Sequence, residues 1–325
     1  MERQFKVLIC DEIHPAGLPA LKEWCEITHG EHWDRETILK HMHHYDALIV
    51  RTETQVDQEM MERGTKLKVV GRAGVGLDNI DTEFAEQHGI VVVNTPGANT
   101  ISAAEHTIGM MLALARHIPQ ATGGTRQGRW ERQRFMGMEL HGKVLGLVGA
   151  GRVGSHVASI AHALGMYITA YDPYAESFSA DIHTVVDDLE LIFLDSDIIT
   201  VHVPLTDETR GMIDISYLQL VPEGALLINC ARGPIVDQAS VIYALEKGSL
   251  GGYACDVFEH EPVRDPDHPF YKRRNVICTP HIGAMTVDAQ ERVSKEIVGL
   301  VIDNLEEVVK QARYREHDSK VDNLS

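Results

Sequence analysis

The chain is short of several things. It has five cysteines in 325 residues, none of them in a CxxC pair. An odd count without paired spacing argues against a disulfide framework or a thiolate metal centre. Cys10, Cys230, Cys255 and Cys278 sit in or beside apolar runs, so the expectation is buried, reduced thiols in a cytoplasmic protein. No apolar run approaches the ~18 residues of a membrane-spanning helix. The short apolar stretch near the start, Val7 to Cys10, is too brief for a signal peptide. Basic charge is also scarce: 30 Lys and Arg stand against 48 Asp and Glu, a net charge of −18. An acidic surface repels phosphate backbones and anionic lipid, which counts against nucleic acid and membranes as partners. An anionic substrate then needs a local basic pocket set against the global field. Apolar material is ample, at 44% hydrophobic residues. That supports sizeable cores, and the length suggests about two domains of ~150 residues.

Short β-type runs recur at 6–10, 47–50, 67–70, 90–94, 144–149, 167–171, 198–203, 225–229, 252–257 and 276–279. Most are continuous Val/Ile/Leu runs rather than alternating ones. Strands buried on both faces read this way, as in parallel sheets with helices on each side. The inference is a doubly wound α/β protein. One long helical pattern starts near Ser102, where Ser102 and Glu105 fit a capping box, and runs to about His117. Another starts near Thr286 and holds helical spacing through Val293, Ile297, Leu300, Val301 and Leu305 to about Val309. The polar tail after Lys310 is expected to fray. The pattern predicts one domain over 100–285 and a second built from 1–99 and 286–325.

The run Val144 to Val148 leads into Gly149-Ala-Gly151-Arg-Val-Gly154, and a helical pattern follows. The next strand ends in Tyr171-Asp172, so an acidic residue stands 18 positions past the third glycine. A GxGxxG with a strand before it, a helix after it and that acidic residue has the context of a dinucleotide site. Gly149 permits the tight turn, Gly151 lets backbone approach a pyrophosphate, and Gly154 lets helix pack on strand. The helix N-terminus offers free N–H groups and a positive dipole to the phosphates. Asp172 would accept hydrogen bonds from ribose hydroxyls and repel a 2′-phosphate, which favours NAD over NADP.

Three later strands end in polar segments: Asn229-Cys-Ala-Arg232, Asp256-Val-Phe-Glu-His-Glu261 and Thr279-Pro-His281. Ligands of open α/β sheets bind outside the carboxyl ends of strands. Arg232 can hold a carboxylate with paired donors. His281 can take a hydroxyl proton as hydride leaves. Glu261 can bond the other imidazole nitrogen and orient the ring. Taken singly, each residue has an ordinary structural reading: a surface cation, a loop histidine, a solvated acid.

At these residues the chain resembles the D-isomer-specific 2-hydroxyacid dehydrogenases, over about Lys6 to Val309. The specific stretches are Gly71-Arg-Ala-Gly-Val-Gly-Leu-Asp-Asn-Ile-Asp81, Asn94-Thr-Pro-Gly-Ala-Asn-Thr-Ile-Ser-Ala-Ala-Glu105, Ile118-Pro-Gln-Ala-Thr122 and Gly128-Arg-Trp-Glu-Arg-Gln-Arg-Phe-Met-Gly137. The last points to the branch that oxidises a phosphorylated acid. The resemblance implies a Rossmann NAD domain inserted in a flavodoxin-like substrate domain, in a homodimer. It implies Arg232, Glu261 and His281 as catalytic residues. It implies cofactor contacts at Val75, Gly149, Gly151, Arg152, Val153, Gly154, Asp172, Val203, Cys230, Ala231, Arg232, Asp256, His281 and Ala284, with Asp256 on the nicotinamide carboxamide. Arg51 and Arg72 match phosphate-facing arginines of the smaller domain. Arg132 or Arg134 matches a basic residue that family dimers deliver from the partner subunit. Many enzymes of this type continue into a regulatory serine-binding region, and no feedback through such a region is expected here.

Two other readings compete. A glyoxylate, hydroxypyruvate or D-lactate type of enzyme shares the triad without needing a phosphate pocket. A nucleotide-sensing protein like the corepressors built on this fold would bind NAD(H) and turn over slowly. Six of the 18 histidines fall in the first 50 residues, but no ligand spacing completes a metal site there, and none is expected.

Overall fold

The computed structural model describes the backbone of residues 5–322, with side chains through Val308 and at Lys310. The chain divides into two compact units, Met1–Asn99 with Thr286–Ser325, and Thr100–Met285.

Unit 1 holds strands β1 (Phe5–Ile9), β2 (Cys25–His29), β3 (Ala47–Val50), β4 (Val69–Arg72) and β5 (Val91–Asn94). They form one parallel sheet in the order β2-β1-β3-β4-β5. Helices α1 (Leu18–Trp24), α2 (Arg35–His41), α3 (Gln58–Arg63) and α4 (Thr82–Gln87) connect them. Every residue of β3 is buried, which explains its unbroken ALIV run. The order is the flavodoxin-like one, with its switch point between β1 and β3.

Unit 2 begins with α5 (Thr100–Ala115) and α6 (Ile118–Arg126). Its strands are β6 (Val144–Val148), β7 (Tyr167–Tyr171), β8 (Thr184–Val186), β9 (Ile198–Val201), β10 (Leu226–Asn229), β11 (Gly252–Cys255) and β12 (Val276–Cys278). All pair in parallel, in the order β12-β11-β10-β9-β6-β7-β8. Helices α7 (Arg152–Ala163), α8 (Leu189–Asp195), α9 (Ile215–Leu218) and α10 (Gln238–Lys247) flank the sheet. The strand order reverses at β6, between β7 and β9, so the crevice of a doubly wound sheet falls over the loop that follows β6. One core on each face of the sheet holds it: Leu145, Val157 and Ile168 belong to one, Val148, Ile199 and Phe193 to the other.

α11 (Val287–Asp322) returns to unit 1. The Thr286 hydroxyl accepts from Ala289 N at its start, and Val293, Ile297 and Val301 pack with Val7, Ile49 and Val69 of the unit 1 sheet. Expected to end near Val309 and fray, the helix instead continues through Asp322. The stretch after Lys310 has no Gly or Pro and is rich in Gln, Ala, Arg, Glu and Lys, so nothing stops the helix.

Three further expectations change. Strands β2 and β8 lie outside the expected runs: their sequences (CEITH, TVV) are short and mixed, and both are only partly buried. Ser102 is no cap: α5 already starts at Thr100 and Ser102 is buried in its first turn. Pro96 and Gly97 stand further back, so nothing at Asn99–Ile101 delays the helix. α5 also stops at Ala115, and His117 turns the chain at φ 54° into α6.

Candidate active site

The glycine turn is built as its spacing requires. Gly149 has φ 94°, a region that favours glycine. A Cβ on Gly154 would lie 2.2 Å from the Gly149 carbonyl oxygen, so only glycine lets α7 come this close to the turn. A Cβ on Gly151 would meet nothing within 4 Å. The N-cap of α7 is Gly151 itself, with no side-chain cap. The first turn of this 12-residue helix is therefore without a side-chain cap. Asp172, at the end of β7, accepts from Ala150 N (2.8 Å) and Tyr174 N (3.0 Å). Its carboxylate ties the glycine turn to the neighbouring strand end. This donor set fits the pyrophosphate and ribose of a dinucleotide. Arg152 and Val153 open α7, and Val203 and Ala231 follow the ends of β9 and β10. Burial pushes the Cys230 thiol, beside Ala231, up to about 12.

His202, unremarked in the sequence, lies under this turn. A Cβ on Gly149 would meet its backbone at 2.8 Å. Desolvation pushes its imidazole down to about 3, and one ring nitrogen lies 3.0 Å from Thr200 Oγ1. It is neutral at ordinary pH.

The three polar strand-end segments meet within unit 2. His281 Nδ1 lies 2.6 Å from Glu261 Oε2. A carboxylate only accepts, so Nδ1 carries the proton and Nε2 is left as the base. The other Glu261 oxygen accepts from Phe258 N at 2.9 Å. Burial pushes the Glu261 carboxyl up, but the hydrogen bond and charge of His281, the Phe258 N–H and the charge of Arg232 hold it below the usual range. Arg232 follows β10, where Asn229 clamps the turn by donating to the Arg232 carbonyl (2.9 Å) and accepting from Ala231 N (3.0 Å). The turn approaches the Phe258–Glu261 segment closely, because a Cβ on Gly233 would lie 2.0 Å from the Phe258 carbonyl.

Asp256 organises the loop that carries His281. Its side chain is only 1% exposed. It accepts from Thr279 Oγ1 (2.6 Å), Ile282 N (2.8 Å) and Gly283 N (2.7 Å), while its carbonyl accepts from His281 N (2.8 Å). His281 itself is held at φ 55°, uncommon for a residue other than glycine. Burial pushes the Asp256 carboxyl up, but His106, Thr279 and the two backbone N–H groups more than offset this and lower its pKa. Ala284 follows directly. The loop role of Asp256 was not legible in the sequence, nor was the presence of His106 and Thr279 beside it.

Val75, Arg51 and Arg72 lie in unit 1. Arg51 follows β3, where its N–H donates to Asp11 Oδ2 (2.5 Å) and its guanidinium to the Glu12 carbonyl (3.3 Å). Arg72 ends β4 and donates to Thr52 Oγ1 (3.3 Å). Val75 is in the loop after β4, its carbonyl held by Asn94 Nδ2 (2.6 Å). Arg132 and Arg134 lie in one short 3-10 turn, with Arg134 paired to Glu131 at 2.9 Å. Trp130 and Met136 beside them are 81% and 83% exposed. No group of three or more His, Cys, Asp or Glu among the described residues is placed to hold a metal.

A family model described as D-isomer specific 2-hydroxyacid dehydrogenase, NAD binding domain, matches residues 108–283. D-3-phosphoglycerate dehydrogenase of Synechocystis sp. is 42% identical over 301 residues, covering 92% of this chain and 54% of its own length. The chain spans a little over half the length of the curated relatives it matches. Among solved structures, the TT0316 protein from Thermus thermophilus matches with TM-score 0.85 and 33% identity, over 93% of this chain and 97% of that one. D-lactate dehydrogenase from Aquifex aeolicus, complexed with NAD and lactic acid, matches with TM-score 0.81 and 27% identity, over 95% of this chain and 97% of that one.

Proposed function

Because the chain belongs to the D-isomer-specific 2-hydroxyacid dehydrogenase family, with its NAD-binding domain at residues 108–283, we propose that it oxidises 3-phospho-D-glycerate to 3-phosphohydroxypyruvate with NAD, the step that opens the phosphorylated route to serine. The observation that carries the chemistry is the 2.6 Å contact of His281 Nδ1 with Glu261. The glycine turn of residues 149–154 and Asp172 would hold NAD, which would supply the acceptor for the hydride on the carbon that bears the hydroxyl. His281 Nε2 takes the hydroxyl proton, and the Glu261 carboxylate stabilises the imidazolium that forms. Arg232 holds the substrate carboxylate through paired, charge-assisted donors. Asp172 faces the ribose hydroxyls and disfavours a 2′-phosphate, so NAD is preferred to NADP.

The phosphate is assigned to Arg51 and Arg72, by their match to the family's phosphate-facing arginines and by the name the relatives carry. Arg132 or Arg134 is assigned to the partner's site in a homodimer. The exposed Trp130 and Met136 beside them support that segment as the contact. No helix among the described residues is long and apolar enough to cross a membrane, and the enzyme is assigned to the cytoplasm.

The test is initial-rate NADH production with 3-phosphoglycerate beside D-glycerate and D-lactate. A strong preference for the phosphorylated acid is the expected result. Comparable or better rates on the unphosphorylated acids would leave the family and the triad in place and remove the phosphate assignment.

A further inference from the structure

His106 lies in the middle of α5, far in sequence from the other residues of the site. Its Nε2 is 3.1 Å from Thr279 Oγ1 and 3.3 Å from Asp256 Oδ1. Its side chain is 20% exposed. The hydrogen bonds can be accounted for one by one. Thr279 has a single hydroxyl proton, and Asp256 Oδ1 at 2.6 Å is a far better acceptor for it than the Met110 sulfur at 3.8 Å. The hydroxyl oxygen must then accept from His106. Both atoms facing Nε2 are acceptors, so Nε2 carries a proton. A chain results, from His106 Nε2–H through the Thr279 hydroxyl to the Asp256 carboxylate, whose bonds polarise one another. The same carboxylate receives the Ile282 and Gly283 N–H groups on either side of the bend after His281.

We propose that His106 is a positioning residue, which acts through Thr279 and Asp256 to hold the loop carrying His281 in its uncommon left-handed conformation. It touches neither His281 nor Glu261 in the hydrogen bonds described; its effect on catalysis runs through the loop. The proposal rests on the reading of His281 as the proton acceptor, given above. His106→Leu removes the donor and keeps an apolar side chain. His106→Gln keeps a side-chain N–H that can reach the same acceptors. Thr279→Val removes the middle of the chain from a different element, and it serves if the Leu variant does not fold.

The experiment has two arms on the whole chain. One is amide hydrogen exchange at Ile282 and Gly283, which needs neither substrate nor cofactor. The other is steady-state kinetics with whichever 2-hydroxy acid the wild type oxidises. In His106→Leu and Thr279→Val, exchange at these two amides is expected to quicken by roughly ten-fold or more. Their kcat is expected to fall roughly ten- to hundred-fold, with KM for the acid changed by about two-fold at most. His106→Gln restores most of both. Wild-type exchange, an unchanged kcat, or a change in one without the other overturns the proposal. So does a Gln variant as impaired as the Leu variant, since the ring would then act by packing alone. If the wild type oxidises no 2-hydroxy acid, the function proposed above fails, while the exchange arm still decides whether His106 holds the loop.

Discussion

The two sheets share one architecture and end differently at the carboxyl edge. Each has a first strand at its switch point, β1 in unit 1 and β6 in unit 2. After β6 comes a run of glycines and an uncapped helix. After β1 comes Cys10-Asp11-Glu12. Asp11 is buried, and its carboxylate accepts from Arg51 N, Thr54 N and Thr54 Oγ1. Asn79 adds two more bonds to the same loop, through the carbonyls of Arg51 and Thr54. In unit 1 a side-chain carboxylate satisfies backbone donors at the sheet's edge. In unit 2 the carboxylates of Asp172 and Asp256 do the same for Ala150, Tyr174, Ile282 and Gly283, but α7 begins at Gly151 without a side-chain cap. The difference lies in the loops: most strands of both sheets are Val/Ile/Leu-rich, and their burial fixes the layers without choosing a chemistry.

Breaking the chemistry of unit 2 gives the largest effect. His281→Ala is expected to lower kcat by about 10²- to 10⁴-fold while NADH titration shows binding retained. Gly154→Ala comes next. Its new methyl would sit 2.2 Å from the Gly149 carbonyl. Dinucleotide affinity should fall roughly ten-fold or more, with a stability cost of about 1–3 kcal/mol in urea unfolding. The corresponding methyl at an open position, Gly151→Ala, should leave stability near wild type.

The smallest effect sharpens the contrast between the turn and what lies beneath it. His202 has a folded pKa of about 3 against an ordinary 6.5. The unfolded chain therefore takes up the proton first. The stability this group contributes is full above about pH 6.5 and is lost as pH falls toward 3. Between pH 6.5 and 5, wild type should lose about 1.5 kcal/mol more than His202→Gln, the slope approaching one proton per molecule at the acid end. Parallel pH dependence of the two proteins would show that the imidazole is not the group responsible.

The glycine turn and the strand-end positions of Asp172, Arg232, Glu261 and His281 were legible because each lies at or just after the end of an apolar run, though taken singly each of these side chains has an ordinary structural reading. β2 and β8 were not, because CEITH mixes polar and apolar residues and TVV is only three residues long, and both are largely exposed or half-buried. Nor was the network beneath His281. His106 sits in a helix whose apolar spacing reads as core, and only folding brings it 3.1 Å from Thr279. Asp256 could be read as a ligand contact, but its hydrogen bonds to Ile282 and Gly283 arise from a loop 26 and 27 residues further on. Spacing in sequence cannot report a bond of that kind.

Proposed above is a division of labour: the chemistry in unit 2, with Arg51 and Arg72 of unit 1 choosing a phosphorylated substrate. It is tested most directly by the ratio of kcat/KM for 3-phosphoglycerate to that for D-glycerate, in wild type and in Arg51→Ala/Arg72→Ala. Two charge-assisted partners for the phosphate predict a wild-type ratio on the order of a hundred or more. In the double variant the ratio should collapse toward one, with D-glycerate turnover little changed. A ratio that is the same in both proteins would contradict the account.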